Sequence, residues 1–344
     1  MSISPKILFI YTGGTVGMIK DPSSKALKPF NFNQILKKLP ELKDLNCEID
    51  SLSIENPIDS SDMNPSHWIS IAEIVQNNYT NYDGFVVLHG TDTIAYTSSA
   101  LSFMFENLSK PIIFTGSQLP IGDIRTDAKE NIITSIDIAC ARDENSNPIV
   151  SEVCLYFKHK LLRANRAVKY ASAAFNAFDS PNFELLGESG VHLNFNKKIL
   201  IKNDASKPLK LNKHLDSNIA VIKMFPGIGK EFVKQTLETP NLKGIILETF
   251  GPGNATTQSW FLDLLRTAID HNIKVVNLSQ CVEGNVNMGE YETSVALKEM
   301  GVISGKDLTF EAAITKMMYL LGLNLTKKKF RAQFEQSMRG ELSN

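Results

Sequence analysis

Short apolar runs alternate along this chain with longer segments whose apolar residues recur at helical spacing. Four runs rich in Ile, Val and Phe predict strands over Lys6–Tyr11, Gly84–His89, Pro111–Thr115 and Val150–Phe157. The segments between them predict helices over Pro65–Asn78, Thr93–Asn107 and Thr126–Ala141. Because alternating strands and helices are joined by right-handed crossovers, the pattern predicts a mostly parallel sheet with helices on both faces.

A second series of strands and helices follows a polar stretch. Strands are predicted over Ile219–Phe225, Gly244–Phe250 and Lys274–Leu278, and helices over Gly229–Thr236, Thr257–His271, Thr309–Leu321 and Thr326–Arg339. At roughly 150 residues per domain, a chain of 344 residues also favours two domains. We therefore expect an α/β protein with a larger, doubly wound parallel-sheet domain at 1–190, a linker at 191–218 and a smaller α/β domain at 219–344.

Charge and cysteine content restrict the partners of the chain. Its 36 Lys and Arg nearly cancel its 37 Asp and Glu, so sequence-independent attraction to nucleic acid or an anionic membrane lacks a driving force. The four cysteines are scattered without C-x-x-C spacing, which suits neither a zinc site nor a disulfide framework. No apolar stretch approaches the roughly 20 residues of a membrane span, and the first is too short for a signal peptide. These features favour a cytoplasmic protein with a small neutral or zwitterionic ligand.

Glycine stands beside a hydroxyl residue after three of the predicted strands. The segments are Thr12-Gly13-Gly14-Thr15-Val16-Gly17, His89-Gly90-Thr91-Asp92-Thr93 and Thr115-Gly116-Ser117-Gln118. Ligands of open parallel sheets bind outside the carboxyl ends of the strands, where glycine allows close approach and hydroxyls serve as nucleophiles or donors. Any one segment is more typical of an ordinary tight turn than of a site, but three at one edge favour a binding site.

Several other kinds of site lack their sequence patterns. The dinucleotide and P-loop glycine motifs are absent, as are the G-x-S-x-G elbow and the H-E-x-x-H metal spacing. His89 is more typical of a packed or backbone-bonded residue than of a base. What remains is a threonine nucleophile, which needs a nearby base, and a lysine can serve when burial and neighbours lower its pKa.

Taken together, the first two glycine segments resemble the paired signatures of the L-asparaginase family. The resemblance extends to its cytoplasmic type I branch through Asp59–Met63, Tyr96–Met104, Asn277–Cys281 and Gly340–Leu342. Each motif is modest, but the ordered set is specific and spans nearly the whole chain. The resemblance implies hydrolysis of L-asparagine to L-aspartate and ammonia without metal or cofactor. It also implies a homodimer or homotetramer in which a neighbour's C-terminal domain completes each site.

The resemblance also assigns residues to the site. Thr15 would be the acylated nucleophile, and Thr91, Asp92 and Lys169 would form the second catalytic group, with backbone N–H groups around Thr91 holding the oxyanion. Substrate binding would fall to Asp59, Ser60, Ser61, Gly90, Thr91, Asp92, Ser117 and Asn254. The secreted branch carries a tyrosine on the loop after T-G-G-T, and the loop 20–30 here has none. Tyr291 matches the tyrosine that the type I branch supplies instead, although a packing role is about equally typical of such a residue.

Two residues bear on regulation. Cys281 matches an allosteric asparagine site of some bacterial type I relatives, but Glu248 stands where those relatives carry an arginine. The reversed charge weakens the expectation of control by asparagine.

Two other functions stay open. The same core serves as the glutamine-hydrolysing subunit of an archaeal-type transamidosome acting on glutamyl-tRNA. That subunit has an extra N-terminal domain, whereas eleven residues precede Thr12 here, and the balanced charge also disfavours tRNA. A non-catalytic amino-acid sensor on this fold would keep Asp92 and Ser60 but would have no use for Thr15, Thr91 and Lys169.

Overall fold

The computed structural model describes residues 4–14, 18–20, 27–29, 39–290 and 292–343, and the chain divides into two compact units. The first comprises residues 1–180 and 184–213, and the second comprises residues 181–183 and 214–344. Most of the linker expected at 191–218 thus belongs to the first unit. Its Leu193–Phe195 pairs with Gly187–Ser189, and Lys210–Leu211 pairs with Phe105–Glu106, so this polar stretch satisfies its backbone in short strands.

The first unit is built on a sheet of eight strands within the described residues. In chain order they are β1 Lys6–Gly13, β2 Glu48–Ile58, β3 Gly84–Leu88, β4 Ile112–Thr115, β5 Val153–Phe157, β6 Lys160–Arg163, β7 Gly187–Ser189 and β8 Leu193–Phe195. The spatial order is β8-β7-β6-β5-β4-β3-β1-β2, and the strands from β5 to β2 run parallel. The four predicted strands are confirmed with ends within three residues. The antiparallel edge β6–β8 and the strand β2 were not predicted.

Helices cover both faces of this sheet, as predicted. They are α1 Pro65–Asn78, α2 Ile94–Met104 and α3 Ala128–Cys140. A Cβ atom on Gly84 would lie 3.2 Å from the carbonyl of Ala139 in α3. The next residue, Phe85, stacks on Tyr79 at the end of α1, with 6.1 Å between ring centroids. Since successive side chains of a strand point to opposite faces, α1 and α3 lie on opposite sides of β3.

The second unit contains a smaller parallel sheet. Its strands are β9 Ile219–Lys223, β10 Gly244–Thr249, β11 Lys274–Ser279 and β12 Ile303–Ser304, in that spatial order. Its helices within the described residues are α4 Lys230–Leu237, α5 Ser259–Asp270, α6 Glu292–Glu299, α7 Phe310–Gly322 and α8 Lys327–Phe334. Apolar side chains of β9, β10, α4 and α5 form its core. Across the described ranges, no helix combines the length and apolar character that a membrane crossing requires.

Candidate active site

The turns after β1 and β3 pack directly against each other at the carboxyl edge of the first sheet. Thr12, at the end of β1, donates its hydroxyl to the carbonyl of Leu88 at 3.0 Å. A Cβ atom on Gly14, where φ is +89°, would lie 2.5 Å from the Cα of Gly90. A Cβ atom on Gly90 would lie 2.5 Å from the Oγ of Ser60. A side chain is excluded at Gly14 because the backbone of Gly90 occupies its space, and at Gly90 because the side chain of Ser60 does.

Lys169 joins the two polar residues that follow Gly90. It lies on the short strand Val168–Lys169, which pairs with Phe178–Asp179. Its Nζ donates to the Oγ1 of Thr91 at 3.0 Å and to the Oδ1 of Asp92 at 2.5 Å. The Lys169 side chain is 17% exposed and that of Asp92 is 65% exposed. The arrangement links a hydroxyl to an amine within proton-transfer distance and leaves a carboxylate accessible beside them.

A second carboxylate follows β2, in the turn that leads into the one-turn 3-10 helix Ser60–Asp62. The Oδ1 of Asp59 accepts hydrogen bonds from the backbone N of Ser61 at 3.0 Å and from its hydroxyl at 2.8 Å. These bonds lower the pKa of Asp59, so its side chain stays a carboxylate. Thr93 donates its hydroxyl to the carbonyl of Ser60 at 2.6 Å and so fastens this turn to the segment after β3.

The third strand-end segment contributes support. Ser117 is buried, and its hydroxyl donates to the carbonyl of Leu119 at 2.6 Å, within its own turn. Gln118, which sequence reasoning did not assign to the site, accepts the Thr91 hydroxyl on its Oε1 at 3.3 Å. Its Nε2 donates to the carbonyl of Ala174 at 2.9 Å, and its backbone N donates to the carboxylate of Asp127. The signal was its position directly after Ser117 in a strand-end segment.

His89 is buried beneath the same turn. Its Nδ1 lies 2.8 Å from the carbonyl of Gly90, to which it donates, and burial lowers the pKa of its imidazole to about 4. The neutral ring therefore supports the backbone beside Thr91, as the sequence interpretation expected.

Five predicted site residues remain. Thr15 and Tyr291 fall outside the described residues. Glu248 is the next-to-last residue of β10, and its Oε2 lies 3.7 Å from the Nζ of Lys223. The exposed Cys281 donates its backbone N–H to the Oγ of Ser279. Asn254 closes a tight backbone turn with Phe250, at 2.8 and 2.9 Å. These three belong to the second unit, and their roles stay predictions.

The first unit thus brings together Asp59, Ser60, Ser61, Gly90, Thr91, Asp92 and Lys169. Across the part of the chain that the structure describes, no three His, Cys, Asp or Glu side chains form a group that could hold a metal ion.

Comparison with known proteins shows similarity along nearly the whole chain. Residues 6–200 match the asparaginase N-terminal family, and residues 218–334 match the glutaminase/asparaginase C-terminal domain. The chain is 40% identical over 338 residues to L-asparaginase 1 of Escherichia coli strain K12, and the match covers 98% of both chains. L-asparaginase I from Vibrio cholerae has a similar structure, with a TM-score of 0.89 and 40% identity over 99% of this chain and 100% of that one. The thermostable L-asparaginase from Thermococcus kodakarensis also gives 0.89, at 29% identity over 98% and 99% of the two chains.

Proposed function

Because this chain belongs to the asparaginase family of hydrolases, we propose that it converts L-asparagine to L-aspartate and ammonia through an acyl-enzyme on Thr15. The contact between Thr91 and Lys169 carries the proposal, since it provides a route for the protons that amide hydrolysis must move. Thr15 stands in the glycine-rich sequence segment that follows β1, which supports its assignment to the same site.

The Thr15 hydroxyl attacks the side-chain amide carbon of asparagine, and backbone N–H groups near Thr91 stabilise the oxyanion. The hydroxyl proton of Thr15 passes to the amide nitrogen, the C–N bond breaks, ammonia leaves, and a β-acyl ester remains on Thr15. Water then attacks this ester and passes its proton to the Oγ1 of Thr91, whose own proton moves to the neutral amine of Lys169. The ester C–O bond breaks, aspartate leaves, and the Thr15 oxygen takes the proton back from Lys169 through Thr91. Lys169 can accept this proton when its Nζ has first released one, and Asp92 keeps the amine oriented at 2.5 Å.

The substrate is a zwitterion, and its two charged ends need partners of opposite charge or strong donors. The accessible carboxylate of Asp92 suits the α-ammonium group, with Asp59 as the second carboxylate at this edge. The hydroxyls of Ser60 and Ser61 and the backbone around Gly90 provide the neutral polar contacts. We expect no metal or cofactor to take part.

We further propose that the chain acts in the cytoplasm as a homodimer or homotetramer, with Asn254 and Tyr291 reaching the site of a second copy. The relatives named above are asparaginases that match this chain along its whole length, which supports an assembly common to the family.

The deciding experiment measures ammonia release from the purified protein with L-asparagine and, separately, with L-glutamine. We expect turnover of asparagine, and a Thr15→Ala protein that still folds but loses activity by orders of magnitude. Faster turnover of glutamine favours the amidotransferase-type alternative, and binding of asparagine without turnover favours a sensor. Near-normal rates in Thr15→Ala would contradict the nucleophile assignment.

A further inference from the structure

The second unit contains a cavity at the carboxyl ends of β11 and β12, with a volume of about 680 Å³. Segment 284–288, which follows β11, lines it together with Ser304, the last residue of β12, and Lys306 beyond that strand. Lys298 of α6 and Arg331 of α8 line it as well. Because ligands of open parallel sheets bind outside the carboxyl ends of the strands, this cavity lies where a ligand of the second sheet is expected.

Hydrogen bonds fix the two segments that form the walls of this cavity. Ser304 donates its hydroxyl to the carbonyl of Val286 at 3.0 Å. Asn182 joins the same segments, because its Oδ1 accepts from the backbone N–H of Gly284 at 2.9 Å and its Nδ2 donates to the carbonyl of Asp307 at 3.2 Å. The cavity is therefore formed by the fold itself, as is usual for sites that bind small molecules.

The charges of this cavity do not balance. The charged side chains that line it are three cations and two carboxylates: Lys298, Lys306, Arg331, Asp307 and Glu335. The Oε1 of Glu335 accepts from the Nε of Arg331 at 3.2 Å, and the carboxylate of Asp307 accepts from the backbone N–H of Ser343. Within the described ranges, the amines of Lys298 and Lys306 form no hydrogen bond or ion pair. The cavity thus has an excess of positive charge, which attracts an anion.

The backbone brings both of these lysines to the cavity. At Gly289 an added Cβ atom would lie 3.1 Å from the Nζ of Lys298, so the glycine leaves the room that this amine occupies. Lys306 has a φ of +49°, a left-handed conformation that is uncommon for a residue with a long side chain. Strained backbone of this kind is held in place by its surroundings and is frequent at ligand sites.

We propose that this cavity binds a small dicarboxylate, with one carboxylate accepting from the amine of Lys298 and the other from that of Lys306. The two amines belong to different elements, so they suit two separate acidic groups, and charge-assisted hydrogen bonds of this kind are strong. The cavity volume is that of a site for an organic molecule, and the amide side chains of segment 284–288 add polar contacts. Neither Glu248 nor Cys281 lines this cavity, so the site differs from the one to which those residues were assigned.

The test titrates succinate into the full-length protein by isothermal calorimetry at low salt. We expect succinate to bind and succinamide, its uncharged diamide, to show no heat of binding. Lys298→Met and Lys306→Met should each raise the Kd for succinate by about 10- to 100-fold, because each removes a charged hydrogen-bond donor. The matched control is Lys230→Met, which removes an exposed lysine of α4 in the same unit and should leave the Kd unchanged.

The comparison of succinate with succinamide uses the unchanged protein, so it decides the matter even if a methionine variant folds poorly. Equal binding of the two compounds, or no binding of succinate at millimolar concentration, would overturn the proposal. Loss of succinate binding in Lys169→Met but not in Lys298→Met or Lys306→Met would place the ligand in the first unit and overturn it as well. Tighter binding of glycerol 3-phosphate than of succinate would overturn the assignment to a dicarboxylate. Ammonia release plays no part in these results, so the outcome is separate from that of the proposed function.

Discussion

The two parallel sheets of this chain differ most at their carboxyl edges. In the first unit, the turns after β1 and β3 are locked together at Gly14 and Gly90, and they present Thr91 and Asp92. In the second unit, β9 and β10 are followed by exposed aromatic side chains, Phe225 at 54% and Phe250 at 39%. The same strand-helix arrangement thus ends once in a packed polar site and once in an open apolar surface.

This difference shows that the fold class alone does not locate the chemistry. The carboxyl edge of a parallel sheet is the expected place for a ligand in both units, but only the side chains at each edge decide its use. Exposed apolar side chains at one edge favour association with another protein surface. We therefore interpret the first edge as the reaction site, and we propose that the second is part of a contact between copies.

The largest expected effect is that of Lys169→Met. Removing the amine deprives Thr91 of its proton partner at 3.0 Å, so kcat should fall by about 10²–10⁴-fold. The matched control is Lys223→Met in the second unit, whose side chain is 64% exposed and whose Nζ lies 3.7 Å from the Oε2 of Glu248. Its kcat should stay within about twofold of normal, because Lys223 is not one of the residues that the first unit brings together at the site. Ammonia release measures both rates, and an active Lys169→Met protein would remove the distinction between the two units.

A smaller effect is expected from the substrate side. Succinamate is asparagine without its α-amino group, so it leaves the carboxylate of Asp92 without a cationic partner. Such losses cost about 2–5 kcal/mol, or roughly 30- to 5,000-fold in kcat/KM. In Asp92→Asn, the ratio of kcat/KM for asparagine to kcat/KM for succinamate should fall. Equal efficiency on both substrates in the unchanged protein would show that Asp92 does not bind the ammonium group.

Acid stability should also distinguish the two units. Burial lowers the pKa of His89 to about 4 from an unfolded value near 6.5, so the unfolded chain binds the extra proton between these pH values. Neutral His89 therefore contributes about 3 kcal/mol to the free energy of unfolding. This contribution is fully present above about pH 6.5 and is lost as the pH falls towards about 4. Urea unfolding at pH 7 and pH 4.5 should therefore show less acid destabilisation in His89→Gln. The exposed His271 provides the control, and His271→Gln should match the unchanged protein.

The packed turn after β3 provides a second stability test that compares the two units. An added Cβ in Gly90→Ala would lie 2.5 Å from the Oγ of Ser60, so the free energy of unfolding should fall by about 1–3 kcal/mol. Gly229, before α4 in the second unit, has nothing within 4 Å of such an atom. Gly229→Ala should cost less than about 1 kcal/mol. Restored stability in the double variant Gly90→Ala, Ser60→Gly would identify the clash itself as the cause, whereas two equal losses would contradict a locked first edge.

Sequence reasoning succeeded where local chemistry is strong. Helix α1 was predicted to the residue, because Asn64 caps it with an accepted hydrogen bond from Ser66 and Pro65 follows. Sequence reasoning missed β2. The half-exposed, polar residues of this edge strand lack the apolar run that indicates a buried strand. The three strand-end segments were found by the same reasoning, since a parallel sheet brings carboxyl ends to one edge.

Lys169 illustrates what local patterns lack. It lies on a two-residue strand and meets Thr91 across 78 positions of sequence, so only the family resemblance identified it. Gln118 ends one of the strand-end segments, but its hydrogen bond to Thr91 depends on the path of the segment around Ala174, which the sequence pattern does not predict. Such long-range contacts follow from the packed fold and leave no periodic signal in the chain.

The smallest signal is expected from a mixing experiment that tests whether the second unit completes a site in another copy. If Thr15 of one chain acts with Tyr291 of its partner, Thr15→Ala and Tyr291→Phe proteins should both be inactive alone. After subunit exchange at equal amounts, half of the dimers are hybrids, and each hybrid has one site with both residues intact. About a quarter of the normal ammonia release should then return.

The result separates the two possible origins of the tyrosine. If Thr15 and Tyr291 act within one chain, every site of a hybrid lacks one of them, and the mixture stays inactive. Exchange must be shown independently, by mass spectrometry of dimers in which one variant carries a heavier isotope. Inactivity after demonstrated exchange would contradict a shared site, and so would full activity of Tyr291→Phe alone. A recovery near a quarter would assign the reaction edge of the first unit and the Tyr291 segment of the second to different copies, because only that arrangement restores an intact pair.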